Sequence, residues 1–251
     1  MRGVTRAVAR LLALQAAWNY ERMQGIGMGW AAEPLLGDLR ASDAARHTAA
    51  TVRSAEFFNG HPYLAGLALG AAVRAEYDGA TGEQVQRLRT AVGGPLGALG
   101  DQLFWAGLLP GLAGCAILGV TLGLPGLAVG GLLVTWNGIR LATTLWGLRT
   151  GLREGPLVAR AIRDSWLTDA AQRVGRLAGL AVGAAIPAAA AWLLGGLTGP
   201  AGLTALAVGA VGVLLARIRP AWFTGLRYGL LLIAAVALLT LTGLGLGGRL
   251  A

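Results

Sequence analysis

Two stretches without a single charged residue constrain this chain more than anything else in it. Leu103 to Ile139 runs for 37 positions and Leu177 to Ala216 for 40 without Asp, Glu, Lys or Arg. At about 1.5 Å per helical residue, about 20 residues cross the roughly 30 Å hydrocarbon core of a bilayer. Each stretch therefore has room for two spans and a turn, the turns being marked by Gly123-Leu124-Pro125-Gly126 and by Gly195 to Gly202 with Pro200. Tyr228 to Gly248 adds another apolar run. The predicted spans cover roughly residues 103 to 122, 126 to 146, 177 to 195, 200 to 216 and 229 to 248.

Charge content supports the same reading. Charged residues make up 13% of the chain, against about 25% in soluble domains, and mean hydropathy is +0.61. The expected fold class is all-α: a polytopic membrane protein with an N-terminal amphipathic helix, short broken or re-entrant elements and about five transmembrane helices. A net charge of +9 would suggest nucleic acid for a soluble chain. Here the arginines cluster between apolar runs, as the positive-inside rule distributes them, so no nucleic-acid partner is expected. A cytoplasmic amino terminus puts Arg140 to Arg176, with seven arginines against three acids, on the same side together with Arg217, Arg219 and Arg227. The uncharged turns at 123 to 126 and 195 to 200 then lie outside, as does the carboxyl terminus. The first 20 residues do not read as a signal peptide, because Gln15 and Asn19 interrupt the apolar stretch and no small-residue cleavage site follows.

Three segments are expected: residues 1–56 as an amphipathic, interfacial arm, residues 57–102 as broken or re-entrant elements, and residues 103–251 as a transmembrane bundle. In the arm, Arg2, Arg6 and Arg10 share one face of a helix expected over residues 2 to 18. That face suits an anionic membrane surface or a partner, or else is the solvated stripe of a packed helix. Ser42 or Asp43 is a candidate N-cap for a short helix ending before the Asn59-Gly60 turn signal. The apolar run His61 to Val73 is too short to span. Ala91 to Asp101, with four glycines and Pro95 among its residues before the acid, reads as a second broken element. His47 reads as solvated and the single cysteine, Cys115, as a small buried hydrophobe.

Polar chemistry gathers in three islands: Leu14 to Trp30, Phe57 to Tyr63 and Gly93 to Asp101. A carboxylate at membrane depth costs about 2.5–3.5 kcal/mol, so Glu21 and Asp101 need partners or water. On a helix Trp18, Glu21 and Arg22 would share a face. Amides, a carboxylate and an aromatic ring are groups that hydrogen-bond and stack on a sugar; they are equally the makings of an interhelical polar network that fixes packing. His61, before Pro62, either caps freed backbone groups or meets a substrate. Asp101 either caps the following span or binds a ligand. The candidate residues for a substrate path or partner interface are Trp18, Asn19, Glu21, Gln24, Asn59, His61 and Asp101. No catalytic residue, metal site or cofactor is expected: there is no P-loop, dinucleotide fingerprint, zinc-spaced cluster or nucleophile–base pair.

The same islands carry a family resemblance. Gln15-Ala16-Ala17-Trp18-Asn19-Tyr20-Glu21-Arg22-Met23-Gln24 with Gly27, Phe57-Phe58-Asn59 with His61-Pro62-Tyr63, and Gly94-Pro95-Leu96 with Gly100-Asp101 and Phe104-Trp105 resemble a membrane component of the mannose-type phosphoenolpyruvate-dependent sugar phosphotransferase system, IID. Asn137 with Arg140 is a weaker echo. The sequence departs from that pattern at Gly60, Gly93 and Gln102, where Thr, Met and Ser are usual. The resemblance implies a bacterial inner-membrane subunit that pairs with a IIC subunit and assembles further into a trimer of heterodimers. It also implies phosphorylation of the incoming sugar by a IIB partner supplied by IIA, with IID itself non-catalytic. A regulatory or scaffolding subunit that keeps the assembly surface without transport is the alternative.

Overall fold

The computed structural model describes residues 3–193. Every regular element among them is helical. In chain order they are α1 (Val4–Leu12), α2 (Gly25–Ala32), α3 (Gly37–Ser42), α4 (Ala44–Ser54), α5 (Ala65–Tyr77), α6 (Gly82–Gly100), a π-helical segment (Asp101–Leu108), α7 (Leu109–Thr121), α8 (Pro125–Glu154), α9 (Val158–Arg163) and α10 (Leu167–Leu193).

Local chemistry starts several of these helices. The Asp43 carboxylate, on extended backbone, accepts the Arg46 N–H at 2.9 Å and caps α4. Thr81 and Gln84 form a reciprocal capping box at α6: the Thr81 hydroxyl accepts the Gln84 N–H, and the Gln84 amide oxygen accepts the Thr81 N–H at 2.8 Å. Gly123, at φ 82°, makes the turn between α7 and α8 where the sequence placed it.

Packing is centred on α5. All its residues from Ala65 to Val73 are buried, so the run too short to cross a bilayer forms the middle of the core. It lies against α8 at Gly66 and Gly70 on one side and Gly147 and Gly151 on the other; a Cβ on Gly151 would stand 2.8 Å from the Ala71 nitrogen. Helix–helix contact at this distance requires glycine, as in membrane bundles, where dispersion rather than the hydrophobic effect holds helices together. Around this pair, Arg53 and the buried Glu76 join α4 to α5 through Nε–Oε1 and Nη2–Oε2 contacts of 2.8 and 3.3 Å.

Residues 91 to 101, expected to break, are continuous helix. α6, the π segment and α7 form one element, Gly82–Thr121, the single helix among the described residues long and apolar enough to cross a membrane. Pro95 sits inside α6 on its exposed face, where a carbonyl freed by the missing N–H need not be buried. The flanking glycines serve close packing instead. Asp101 is likewise not an N-cap, since it has helical φ and ψ within this element.

The amino-terminal helix also differs from expectation. α1 ends at Leu12, a 3₁₀ turn covers Leu14–Ala17, and Trp18 is extended. Its apolar side, Ala7, Val8 and Leu11, is buried in the protein's own core, so it is not free to enter lipid. Arg10 on the other face bonds the Glu33 carboxylate at 2.8 Å and the Trp30 carbonyl at 2.7 Å. Cys115, expected to be buried, is exposed on α7, and His47 is half-buried. The helix predicted from about residue 177 begins ten residues earlier, at Leu167. The spans predicted at 200 to 216 and 229 to 248, with Arg217, Arg219 and Arg227, lie outside the described residues.

Candidate functional site

The first island folds as a turn rather than a helix. Asn19 and Met23 pair in antiparallel fashion, the Met23 N–H donating to the Asn19 carbonyl at 2.8 Å. The Asn19 side-chain oxygen accepts the backbone N–H groups of Glu21 and Arg22 at 3.1 and 2.9 Å, and its amide donates to the Ala17 carbonyl. An asparagine holds this turn because its short amide mimics a backbone group. Trp18, Glu21 and Arg22 therefore do not share a helical face. Trp18 instead stacks edge-on against Tyr20, with ring centroids 4.8 Å apart, and both are exposed, as is Glu21.

Met23, at φ 51°, is the one non-glycine residue among the described residues in the left-handed region. That strained residue lies at the joint between islands. It pairs with Phe58 as well as Asn19, and the next residue, Gln24, donates from its backbone N–H to the Phe58 carbonyl at 2.9 Å. The buried Gln24 side chain reaches on to the Gly60 carbonyl at 2.7 Å, while its Oε1 has no partner. The first island is thus bolted to the second.

The second island meets the third through glycine. A Cβ on Gly93 would lie 2.9 Å from the Asn59 carbonyl oxygen, and one on Gly60 would lie 3.3 Å from the Gly93 carbonyl oxygen. Gly60 and Gly93 thus face one another, and together they let the loop settle onto α6. Asn59 is exposed and lines a small cleft with Arg89, Thr90 and Gly94.

His61 is buried, with its ring stacked on Phe104 at a centroid distance of 4.8 Å and an interplanar angle of 14°. Its Nδ1 accepts the Tyr63 N–H at 3.3 Å, whereas Nε2 has no partner. Tyr63, Trp105 and Trp136 complete an aromatic cluster around it. The Arg140 guanidinium lies 5.2 Å above the Tyr63 ring and donates to the Leu12 carbonyl, tying α8 to the end of α1. His61 lies in the loop before α5, outside the long apolar helix, and burial lowers its pKa from 6.5 to about 4. Its imidazole is therefore neutral near pH 7. Asp101 is exposed on the π segment, with no ion pair among the described residues, one turn before the partly exposed Trp105.

Arg89 is a residue that the sequence reading missed. Buried on α6, it donates to the carbonyls of Arg53, Ser54 and Glu56, closing the end of α4, and its guanidinium lies 5.9 Å from the Phe58 ring centroid. Val85, Arg89, Val92 and Leu96 are all buried at helical spacing, so an arginine on an apolar stripe was the legible signal.

The residues therefore divide by availability. Asn19, Gln24 and His61 are engaged in building the joint, while Trp18, Glu21, Asn59 and Asp101 present exposed groups beside it. No group of three or more His, Cys, Asp or Glu capable of holding a metal exists among the described residues.

Comparison with known proteins converges on one family. The family model described as "PTS system mannose/fructose/sorbose family IID component" matches residues 2–192. The mannose-specific EIID component of Escherichia coli K12 is 31% identical over 148 residues, 56% of this chain and 51% of the relative. The fructose permease IID component of Bacillus subtilis is 31% identical over 172 residues, 64% and 61% of the two chains. The sorbose-specific EIID component of Klebsiella pneumoniae is 32% identical over 148 residues, 56% and 53%. The chain thus spans about half the length of the mannose- and sorbose-specific relatives. A solved membrane-protein structure superposes with a TM-score of 0.61 at 25% identity over 72% of this chain and 68% of the other. The fold is also that of a chain in the cryo-EM complex of the mannose transporter ManYZ with microcin E492: TM-score 0.56, 22% identity, 96% of this chain and 94% of the other. The chain belongs to the IID components of the mannose/fructose/sorbose family of the PTS, a membrane family of sugar transport.

Proposed function

We propose that this chain pairs with a IIC subunit in the bacterial inner membrane to translocate a hexose-type sugar, which a IIB phosphocarrier charged by IIA phosphorylates on arrival. The observation that carries this reading is the joining of the three polar islands beside the long apolar helix Gly82–Thr121. Exposed polar and aromatic groups gathered beside an apolar helix suit a substrate path or a subunit contact. The exposed Trp18, Glu21, Asn59 and Asp101 meet sugar or the IIC partner; Asn19, Gln24 and His61 hold their platform. IID itself performs no chemistry, since phosphoryl transfer belongs to IIA and IIB.

In the proposed topology the chain is multi-pass with about five spans and a cytoplasmic amino terminus, α8 crosses after the long helix, and the arginine-rich stretch from Arg149 to Arg176 is cytoplasmic. Heterodimers with IIC assemble into a trimer. Sugar uptake and phosphorylation in vesicles containing IIA, IIB, IIC and this chain test the reading. Uptake that depends on this chain supports it. Intact assembly with IIC but no uptake would leave a scaffolding role in its place.

A further inference from the structure

The small cleft beside Asn59 has a volume of about 150 Å³ and lies between the loop that follows α4 and the turn of α6 around Thr90. At roughly 30 Å³ per water it takes about five waters, room for one sugar ring and not for two. Phe57, 54% exposed, and the buried Phe58 give it aromatic surface. Gly94 adds no side chain to it, and a Cβ there would meet nothing within 4 Å.

Three polar side chains line it. Asn59 and Thr90 are exposed, and among the described residues neither the Asn59 amide nor the Thr90 hydroxyl bonds a protein group. Each offers both a donor and an acceptor. Arg89, only 2% exposed, is the third. Its two terminal nitrogens carry four N–H groups, and these meet four acceptors. One nitrogen reaches the Arg53 carbonyl and, at 3.1 Å, Gln86 Oε1; the other reaches the carbonyls of Ser54 and Glu56, both at 3.1 Å. The Nε–H is the donor left over.

That distribution of donors decides the class of ligand. A phosphate or carboxylate is gripped by two parallel N–H groups of a guanidinium, and here all four terminal N–H groups are engaged by the protein itself. A neutral ring bearing hydroxyls needs no such fork. Each of its hydroxyls donates and accepts, matching the Asn59 amide and the Thr90 hydroxyl, and its C–H face packs on an aromatic ring. Apolar walls with a few placed polar groups are the ordinary make-up of a small-molecule site. We infer that this cleft is a subsite for a single neutral hexose, with Phe57 against the ring and Asn59, Thr90 and Arg89 Nε bonded to its hydroxyls. The inference rests on the reading of the chain as a sugar-transport subunit, and it assigns Asn59 to sugar rather than to the IIC partner.

Hydrogen exchange of the full chain with its IIC partner in detergent, titrated with mannose, fructose or sorbose, tests this. At least one of the three sugars is expected to protect amides of residues 57–60 and 90–94. Asn59→Ala and Thr90→Val, both at exposed positions, should each raise the sugar concentration needed for that protection about five- to tenfold, the loss of one neutral hydrogen bond. Phe57→Leu should raise it as well, and pull-down of IIC should be the same in all three variants. Mannose 6-phosphate should protect no better than mannose. Uptake in vesicles with IIA, IIB and IIC is measured beside exchange, so that the two readings fail separately. Protection at the cleft without uptake would sink the transport reading and support the subsite. No protection by any of the three sugars, or protection that Asn59→Ala and Thr90→Val leave unchanged, would overturn the subsite. Loss of IIC pull-down in either variant would make the cleft a partner contact instead, and stronger protection by the phosphorylated sugar would overturn the neutral ligand.

Discussion

The His61 imidazole fills the space that a side chain at position 100 would need: a Cβ built on Gly100 overlaps both Cβ and Cγ of His61. The glycine is what lets the loop before α5 lie flat on α6, with the imidazole stacked on Phe104 four residues further along.

Gly100→Ala should therefore push the ring out of its stack and lower stability by about 1–3 kcal/mol, the range for overpacking a filled site. Gly138, exposed inside α8, is the control, because a Cβ there meets nothing within 4 Å; Gly138→Ala should be neutral or stabilising by about 0.5–1 kcal/mol. Thermal unfolding of the two variants in the same detergent makes the comparison. Equal Tm values would show that the close approach is unimportant.

The state of His61 gives stability a pH dependence with a definite sign. Its pKa is about 4 in the folded chain against 6.5 when exposed, so between these values the unfolded state binds more protons and stability rises with pH. The neutral ring's contribution is fully present above about pH 6.5 and is lost as pH falls toward 4. His61→Phe should keep the stacking and flatten that part of the profile. An unchanged slope in the variant would place the titration elsewhere.

Arg89 is expected to hold the end of α4. Arg89→Met strands the carbonyls of Arg53, Ser54 and Glu56 and should cost about 3 kcal/mol, given 1.5–3 kcal/mol for a hydrogen bond to a charged group. Arg89→Lys should recover only part, since one ammonium cannot fork toward three carbonyls. Hydrogen exchange localises the effect: amides in the last turn of α4 should lose protection first, while those of α5 keep it.

Asp101 and Asn19 should separate the two roles of the joined islands. Asp101→Asn, at an exposed position without an ion pair among the described residues, should alter stability by no more than about 0.5 kcal/mol yet reduce uptake or IIC assembly. Asn19→Ala removes the acceptor of two backbone N–H groups and should lower stability by about 1 kcal/mol, as loss of a comparable cap does. Tm measured beside reconstituted uptake distinguishes them. A stability loss in Asp101→Asn as large as in Asn19→Ala would assign both residues to the scaffold.

What the sequence alone determined was the set of features that depend on neighbours along the chain. Long charge-free runs imply helices in a membrane protein whatever their partners, because an apolar solvent leaves the backbone no other donor or acceptor. The Asp43 cap and the turn at Gly123 follow from side-chain and backbone chemistry within four residues. The tertiary structure decided what the glycines and polar residues are for. Ala91 to Asp101 has the composition of a break, but its glycines are spent on the approach of Asn59 and His61 from a loop more than thirty residues away, and the helix runs on. Trp18 to Gln24 has the spacing of a helical face, but Gln24 bonds Phe58 and Gly60, which holds a turn that local propensity would not choose. A long-range contact can outweigh a helix preference of a few tenths of a kcal/mol per residue, and nothing in the local pattern records which distant segment will supply it.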